Sequence, residues 1–323
     1  PHRITSAWLE AQIAPTMQRL GVPPGRLQAL SGIAERRFWD AGTLPSAGAT
    51  AAARKVLAQA DVDPHRVGCL ISTSVCKDCI EPSMASLVHG DLGLAPHCAN
   101  FDIGSACLGF IDGMTSIALQ IEAGLIDYGL VVDGEGSQEV VAATLARLQS
   151  EQATAQDFRD HFATLTLGSG AVAMLLCRKG LSRSGHVLNG AVTLAATQHN
   201  RLCVGHADRM ITDPAALLIA GVELATQTWA LAAEKLPRWR DDQIAAYLPH
   251  QVSARHMTAV AQALRIPEEK MFLNFPTLGN IGPAAVPITL AMAVEAGAVK
   301  RGDHVGLLGI GSGLNCAMVS VDW

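Results

Sequence analysis

The stretch Asn100-Phe101-Asp102-Ile103-Gly104-Ser105-Ala106-Cys107-Leu108-Gly109-Phe110 decides how the chain is read. An extended apolar run over 98–103 meets small residues and then one cysteine. A helical pattern of Leu108, Ile111, Met114, Ile117 and Ile121 follows. The periods switch here from strand to helix. A thiol at such a junction lies near unpaired N–H groups and the positive end of a helix dipole, so a stabilised thiolate is expected. The small neighbours let a substrate approach closely. Taken alone, a cysteine in an apolar chain reads as a small core hydrophobe.

Working outward, residues 67–75, 127–133 and 170–177 read as further strands. The near-continuous apolar run over 67–75 marks a strand covered on both faces. A helix over 6–20, capped by Ser6 and bent by Pro15, precedes them. Further helices are predicted over 47–60 and from near Pro82, with a polar, helix-like stretch over 139–162. The second half repeats this grammar. Strands are expected over 187–196, 244–248, 304–310 and 315–321. Helices are expected over 214–236, opened by Asp213, over 253–264, and over a segment ending at 296. Alternating strands and helices predict an α/β protein with largely parallel sheets. The halves divide as 1–180 and 181–323, with no low-complexity linker, so they are expected to pack as one unit.

The chain has 323 residues, 49% of them hydrophobic and 16% charged, enough for a large buried core. The net charge of −5, without a dense Lys/Arg tract, argues against a nucleic-acid partner. Eight cysteines sit mostly inside apolar runs, which suits reduced thiols in the cytoplasm. Cys76-Lys77-Asp78-Cys79 lacks a second pair or a clustered His, so no metal site is expected. No run approaches the ~20 uninterrupted apolar residues of a membrane span, and no signal peptide is visible at the start.

Two further positions share the setting of Cys107. His250 follows an apolar strand, in Pro249-His250-Gln251. Asn280 lies in Gly279-Asn280-Ile281-Gly282-Pro283, just before a helix. In α/β sheets, reacting groups gather beyond the carboxyl ends of strands. A cysteine takes an acyl group, and an imidazole and a carboxamide hold the oxygen of an enolate. Each alone has a plainer reading. His250 is one of eleven histidines, and an Asn between glycines suits a turn. Glu81, in the loop before the Pro82 helix, reads as a helix N-terminal acid.

At these residues the chain resembles the thiolase superfamily, in its β-ketoacyl-ACP synthase III branch. The resemblance is carried by Ser31-Gly32-Ile33-Ala34-Glu35-Arg36-Arg37, Ser105-Ala106-Cys107-Leu108-Gly109-Phe110, His250-Gln251-Val252-Ser253, Gly279-Asn280 and Gly309-Ile310-Gly311-Ser312-Gly313. Within the branch it is most similar to the OleA-like enzymes, which condense two fatty acyl-CoAs head to head. That likeness lies in Ile80-Glu81-Pro82-Ser83, Asn200-Arg201-Leu202-Cys203, Asp208-Arg209-Met210, Gly279-Asn280-Ile281-Gly282-Pro283-Ala284 and the run from Leu307 to Cys316.

The resemblance implies a five-layer αβαβα thiolase fold and a homodimer. It implies Cys107 as nucleophile, His250 and Asn280 as its partners, and the Ser312 amide in an oxyanion hole. It makes Glu81 a general base that reaches across the dimer to the partner's cysteine. Long-chain acyl-CoAs are the implied substrates, and coenzyme A enters with them, so no separate cofactor is expected. Downstream enzymes that process a β-keto acid are implied as partners. The chain also departs from the initiating synthases. Leu30 stands where they carry a basic residue that helps hold coenzyme A, and Ile-Gly-Pro-Ala follows Asn280 in place of small hydroxylated residues. The alternatives are a synthase III that condenses an acyl-CoA with malonyl-ACP, a related acyltransferase, and a catalytically silent subunit.

Overall fold

Apolar runs covered on both faces become the inner strands of two four-stranded sheets. The computed structural model describes residues 2–206, 208–240 and 242–323. The chain opens with β1 (His2–Thr5), α1 (Ser6–Gln12), α2 (Ala14–Arg19), α3 (Arg26–Ser31) and β2 (Glu35–Phe38), and β1 pairs antiparallel with β2. The helix predicted over 6–20 is therefore two helices. Pro15 sits in the first turn of α2, where its missing N–H costs least, and the break falls at Ile13. Thr5 caps α1 through its hydroxyl, which accepts from the Trp8 N–H at 3.1 Å. Ser6 does not cap; buried, it donates to the Ile33 carbonyl.

The first sheet follows with α4 (Pro45–Ala60), β3 (Cys69–Ser72), α5 (Met84–Leu92), β4 (Ala99–Asp102), α6 (Gly109–Glu122), β5 (Tyr128–Glu135), α7 (Gln138–Leu148), α8 (Ala155–His161) and β6 (Gly170–Cys177). Its strand order is β4-β3-β5-β6, with β3 parallel to both β4 and β5, and β5 antiparallel to β6. The second half supplies β7 (Val187–Ala195), β8 (Cys203–His206), β9 (Arg209–Thr212), α9 (Pro214–Lys235), β10 (Ala246–Pro249), α10 (Ala254–Leu264), α11 (Phe275–Leu278), α12 (Ala285–Glu295), β11 (His304–Gly311) and β12 (Asn315–Asp322). Its sheet order is β10-β11-β12-β7, in which only the β10–β11 pair is parallel.

The expectation of largely parallel sheets holds for the first sheet, where two of three pairings are parallel, and is corrected for the second, where one of three is. The β11–β12 connection is a tight hairpin, which can only join antiparallel strands. The β8–β9 hairpin was not expected from the sequence.

Five layers result. The apolar faces of α6 and α12 lie between the sheets in one core, with Ile111, Met114 and Ile117 on one helix and Val286, Leu290 and Ala293 on the other. Ile71 and Val131 of the first sheet and Leu248, Leu307 and Val319 of the second close on that core. Outside, α4 and α5 cover the first sheet through Ala53, Leu57 and Val88. On the other outer face, α9 and α10 cover the second sheet through Leu224, Ala232, Met257 and Leu264. The long helix expected over 214–236 is α9, and at 22 residues and a mean hydropathy of 1.4 it is the one described helix long and apolar enough to cross a membrane, although its apolar run is not uninterrupted. Here it lies on the second sheet, with Leu224 and Thr228 buried beneath it.

Candidate active site

Strand β4 delivers the chain to the elbow. The Ile103 N–H still donates to the Ser72 carbonyl at 2.9 Å, and the ladder ends there. A 3₁₀ turn over Ala106–Leu108 then leads into α6, closed by the Leu108 N–H on the Ser105 carbonyl at 3.0 Å. Ala106 has φ +45, a left-handed conformation that costs an L-residue on the order of 1 kcal/mol. The turn thus presents Cys107 from a strained corner. Gly109 lets the helix lie against the loop below: a Cβ on it would stand 2.9 Å from the Thr73 carbonyl.

The second half closes on this corner from above. A Cβ on Gly311 would stand 3.2 Å from the amide nitrogens of both Cys107 and Leu108, so only a glycine backbone fits against the elbow. Ser312 follows in the β11–β12 turn and is half-buried. The elbow also touches the 3₁₀ turn Gly282–Ala284, which is the segment just past Asn280.

His250 is placed by sheet pairing. Its N–H donates to the Leu308 carbonyl at 2.7 Å, one step beyond the end of β10, so the residue is held level with the C-terminal part of β11. Gln251 fixes the next segment. Its side-chain oxygen accepts from the Asn274 and Phe275 N–H groups at 2.9 and 3.1 Å, and its amide donates to the Phe272 carbonyl at 2.9 Å. The loop that leads to Asn280 is thereby tied to the residue after His250.

Asn280 is held by backbone from the other half. Its N–H donates to the Thr166 carbonyl at 2.9 Å, and its own carbonyl accepts from the Gly168 N–H at 2.8 Å. Its side-chain oxygen accepts from the Gly282 N–H at 3.1 Å, an Asx turn that orients the carboxamide. Gly279, at φ +70, lets the two backbones meet: a Cβ there would stand 2.5 Å from the Thr166 carbonyl oxygen.

Electrostatics at this floor follow from burial. The Cys107 thiol is pushed up to about 12, chiefly by desolvation, then by Cys203, Glu135 and Asp133, against a small pull from its own amide. The stabilised thiolate expected from the sequence is therefore corrected: desolvation outweighs the helix terminus. His250 is driven down to about 3 by burial and then by His256, and His256 down to about 4 by burial. Both imidazoles are neutral near pH 7, and neither Nδ1 atom has a hydrogen-bond partner.

Two acids at the end of β5 join this floor, and the sequence reading gave neither a role. Burial holds Asp133 well above the usual carboxylate range, and Glu135 is raised to about 7. Their signal was visible in Leu130-Val131-Val132-Asp133-Gly134-Glu135: two acids at the carboxyl end of a buried apolar strand.

Glu81 is placed differently. It is exposed on the loop before α5, next to a wholly exposed Ile80. That loop is pinned by carboxylates at its start, middle and end. Glu135 accepts from the Val75 and Cys76 N–H groups at 2.6 and 3.2 Å, and Asp78 accepts from the Ser46 N–H at 2.9 Å. Asp102 accepts from Lys77 Nζ at 2.7 Å and from the Met84 and Ala85 N–H groups at 3.1 and 2.9 Å. The helix predicted from Pro82 starts at Met84, capped by Ser83. Two surface clefts, one beside α6 near Leu119 and one near Arg54, are not lined by Cys107, His250 or Asn280. Among the described residues no cluster of metal-ligating side chains occurs.

Comparison with known proteins decides the family. Residues 235–323 match the 3-oxoacyl-[acyl-carrier-protein] synthase III C-terminal family. Over 323 residues, the chain is 45% identical to the acyl-CoA:acyl-CoA alkyltransferase of Xanthomonas campestris pv. campestris, covering 100% of this chain and 95% of that protein. The chain belongs to the OleA-like acyl-CoA:acyl-CoA alkyltransferases, within the thiolase superfamily. The alkyltransferase of Shewanella oneidensis is 40% identical, covering 100% of this chain and 95% of that one. A cysteine-to-serine variant of Xanthomonas campestris OleA with bound lauric acid and lauroyl-CoA superposes with a TM-score of 0.97 at 44% identity, covering 100% of this chain and 96% of that one. The same OleA with cerulenin gives the same score and identity, over 100% of this chain and 94% of that one. The OleA-like chain is thus an acyltransferase with the thiolase fold.

Proposed function

We propose that this chain joins two fatty acyl-CoAs by a non-decarboxylative Claisen condensation, through an acyl-Cys107 intermediate, to give a 2-alkyl-3-ketoacyl-CoA. The observation that carries the reading is the convergence at the elbow: the Cys107 turn lies against the Gly311 backbone and the turn following Asn280, with His250 set by the neighbouring strand pair.

Cys107 sulfur attacks the thioester carbonyl of a first acyl-CoA. Free coenzyme A leaves with the thiol proton, and the amides of Cys107 and Ser312 hold the oxyanion. Because the thiol is un-ionised, its proton leaves as the S–C bond forms. A second acyl-CoA then gives an α-proton to Glu81. A condensation without loss of CO2 needs such a base, because decarboxylation does not generate the carbanion. Neutral His250 and Asn280 donate hydrogen bonds to the enolate oxygen. The enolate carbon attacks the acyl-Cys107 carbonyl, the sulfur leaves, and the proton held by Glu81 returns to it.

An exposed Glu81 beside an exposed Ile80 suits a loop that completes the site of a second copy, so the working unit is a homodimer. The OleA structures with substitutions at one cysteine, one histidine and one glutamate concern the same residue types. Long-chain acyl-CoAs are the substrates, no separate cofactor is needed, and the β-keto product passes to enzymes that process it. The halves 1–180 and 181–323 each bring part of the site, and the protein works in the cytoplasm.

Mass spectrometry of the intact protein mixed with acyl-CoAs of graded length tests this directly. An acyl adduct on Cys107, followed by a 2-alkyl-3-ketoacyl product without malonyl-ACP, is expected. A product that forms only with labelled malonyl-ACP, or an acyl group passed to an O- or N-nucleophile, would overturn it.

A further inference from the structure

The segment 73–76 is tied residue by residue to the end of β5. The Thr73 N–H donates to the Val132 carbonyl at 3.0 Å, and its hydroxyl donates to Asp133 Oδ2 at 2.6 Å. The Gly134 N–H donates to Ser74 Oγ at 2.9 Å. Glu135 ends the series with one carboxylate oxygen for each of the Val75 and Cys76 N–H groups. Beyond that point the loop projects: Val75 is 54% exposed and Ile80 wholly so. The same carboxylate lies on the other side against the turn that orients Asn280. A Cβ on Gly282 would stand 3.3 Å from Glu135 Cδ. The Trp39 indole N–H, donating to the Glu135 carbonyl at 2.9 Å, fixes the strand end itself.

We propose that Glu135 is a positioning residue for the condensation step, whose ionised carboxylate aligns the Glu81 loop with the turn that holds Asn280. The inference rests on the condensation reading above. The ionised form accepts two N–H bonds. The protonated form has one oxygen carrying a proton and loses part of that grip. The groups that face Glu135 are Asp133 from its own strand, Cys76 from the loop, whose thiol bonds the carboxylate, and Cys107 from the elbow. The two thiols keep their protons near neutral pH, burial holds Asp133 well above the usual carboxylate range, and Glu135, raised to about 7, titrates there. Condensation then gains with rising pH through that value, whereas loading of Cys107 has no step that uses Glu81, and Glu135 bears on it only through its secondary push on the thiol.

The test separates the two steps in the full-length protein. Single-turnover acylation is followed by the mass shift on Cys107, and condensation by product formation, from about pH 6 to about pH 9. Glu135→Gln is expected to load Cys107 within about twofold of wild type, but to condense roughly 10- to 100-fold more slowly, as misplaced groups do. Its condensation profile loses the rise near pH 7. Glu135→Asp keeps the charge but not the reach, and should share the slow condensation. Equal slowing of both steps, or unchanged condensation with an unchanged profile, overturns the proposal.

Amide hydrogen exchange of wild-type residues 74–80 needs no variant. Protection corrected for intrinsic rate should fall from about pH 8 to about pH 6, and pH-independent protection overturns the proposal. If wild type itself makes no product from two acyl-CoAs, the condensation reading fails, and the exchange result still decides whether Glu135 grips the loop.

Discussion

On the first sheet, burial keeps the proton on Cys107, holds Asp133 well above the usual carboxylate range and lifts Glu135 to about 7. On the second sheet, the same loss of water strips protons from His250 and His256, down to about 3 and about 4. One cause acts with opposite signs, because the acids are charged when deprotonated and the imidazoles when protonated. Away from the two carboxylates, both halves therefore reach a floor whose thiol and imidazoles carry no charge near pH 7. Such a floor suits a reaction whose charges, the oxyanion and the enolate, exist only on the way to product: preorganised donors meet them in a dry site without competition from resident ions. The loop that carries Glu81 contrasts with both. It is exposed, and its position is set by three carboxylates that bond backbone N–H groups.

The sharpest way to break this comparison is to remove the group around which both halves close. Cys107→Ala should abolish acylation, with a loss of at least about a thousandfold, while melting as wild type does. Full condensation by that variant would detach the elbow from the chemistry. Glu81→Ala divides the loop from the floor. Loading of Cys107 should persist, and condensation should fall by roughly 10²- to 10⁴-fold, as for loss of a general base. Unchanged product formation would point to another base.

Gly279→Ala acts on the junction between halves instead of on the chemistry. The new Cβ meets the Thr166 carbonyl at 2.5 Å from a φ of +70, so the turn that sets Asn280 must move. We expect a stability loss of roughly 2–4 kcal/mol in denaturant titration, with condensation impaired in what remains folded. A variant as stable as wild type would show that the two backbones are not locked there.

Much of this was legible in the residues because periodicity and caps are local. The run Gly170–Cys177 is a strand over its expected bounds, and Asp213 caps α9 through its side chain on the Ala216 N–H. Cys107, His250 and Asn280 could be nominated because each follows a strand or a turn at the carboxyl edge. What failed was non-local. Strand direction depends on how a hairpin closes, which the apolar run over 315–321 does not state. The Cys107 thiol was misjudged because burial is a property of the whole floor, whereas a helix terminus can be read from a few residues. Gln251 and Glu135 act through bonds to segments 21 to 24 and 59 to 60 residues away, so their neighbours in sequence carry no sign of it.

The smallest expected effect tests the histidine side of the comparison. His256 has a folded pKa of about 4, against 6.5 when free, so the unfolded chain binds the extra proton between those values. The stability it leaves intact is fully present above about pH 6.5 and is lost as pH falls toward 4. Linkage puts that loss at about 2 kcal/mol between pH 7 and pH 5. Glu135 runs the other way: its folded pKa is raised, so its contribution is greatest below its unfolded value of 4.5 and declines as pH rises through about 7. His250, lowered to about 3, adds a slope of the same sign as His256, and both oppose Glu135 over this window. His256→Gln removes one of the two histidine slopes, and its unfolding free energy should therefore fall less than that of wild type on going from pH 7 to pH 5, by about 2 kcal/mol. An identical pH dependence in the variant would mean that the buried imidazole is protonated in the folded protein, and that the second sheet contributes a standing charge to the floor after all.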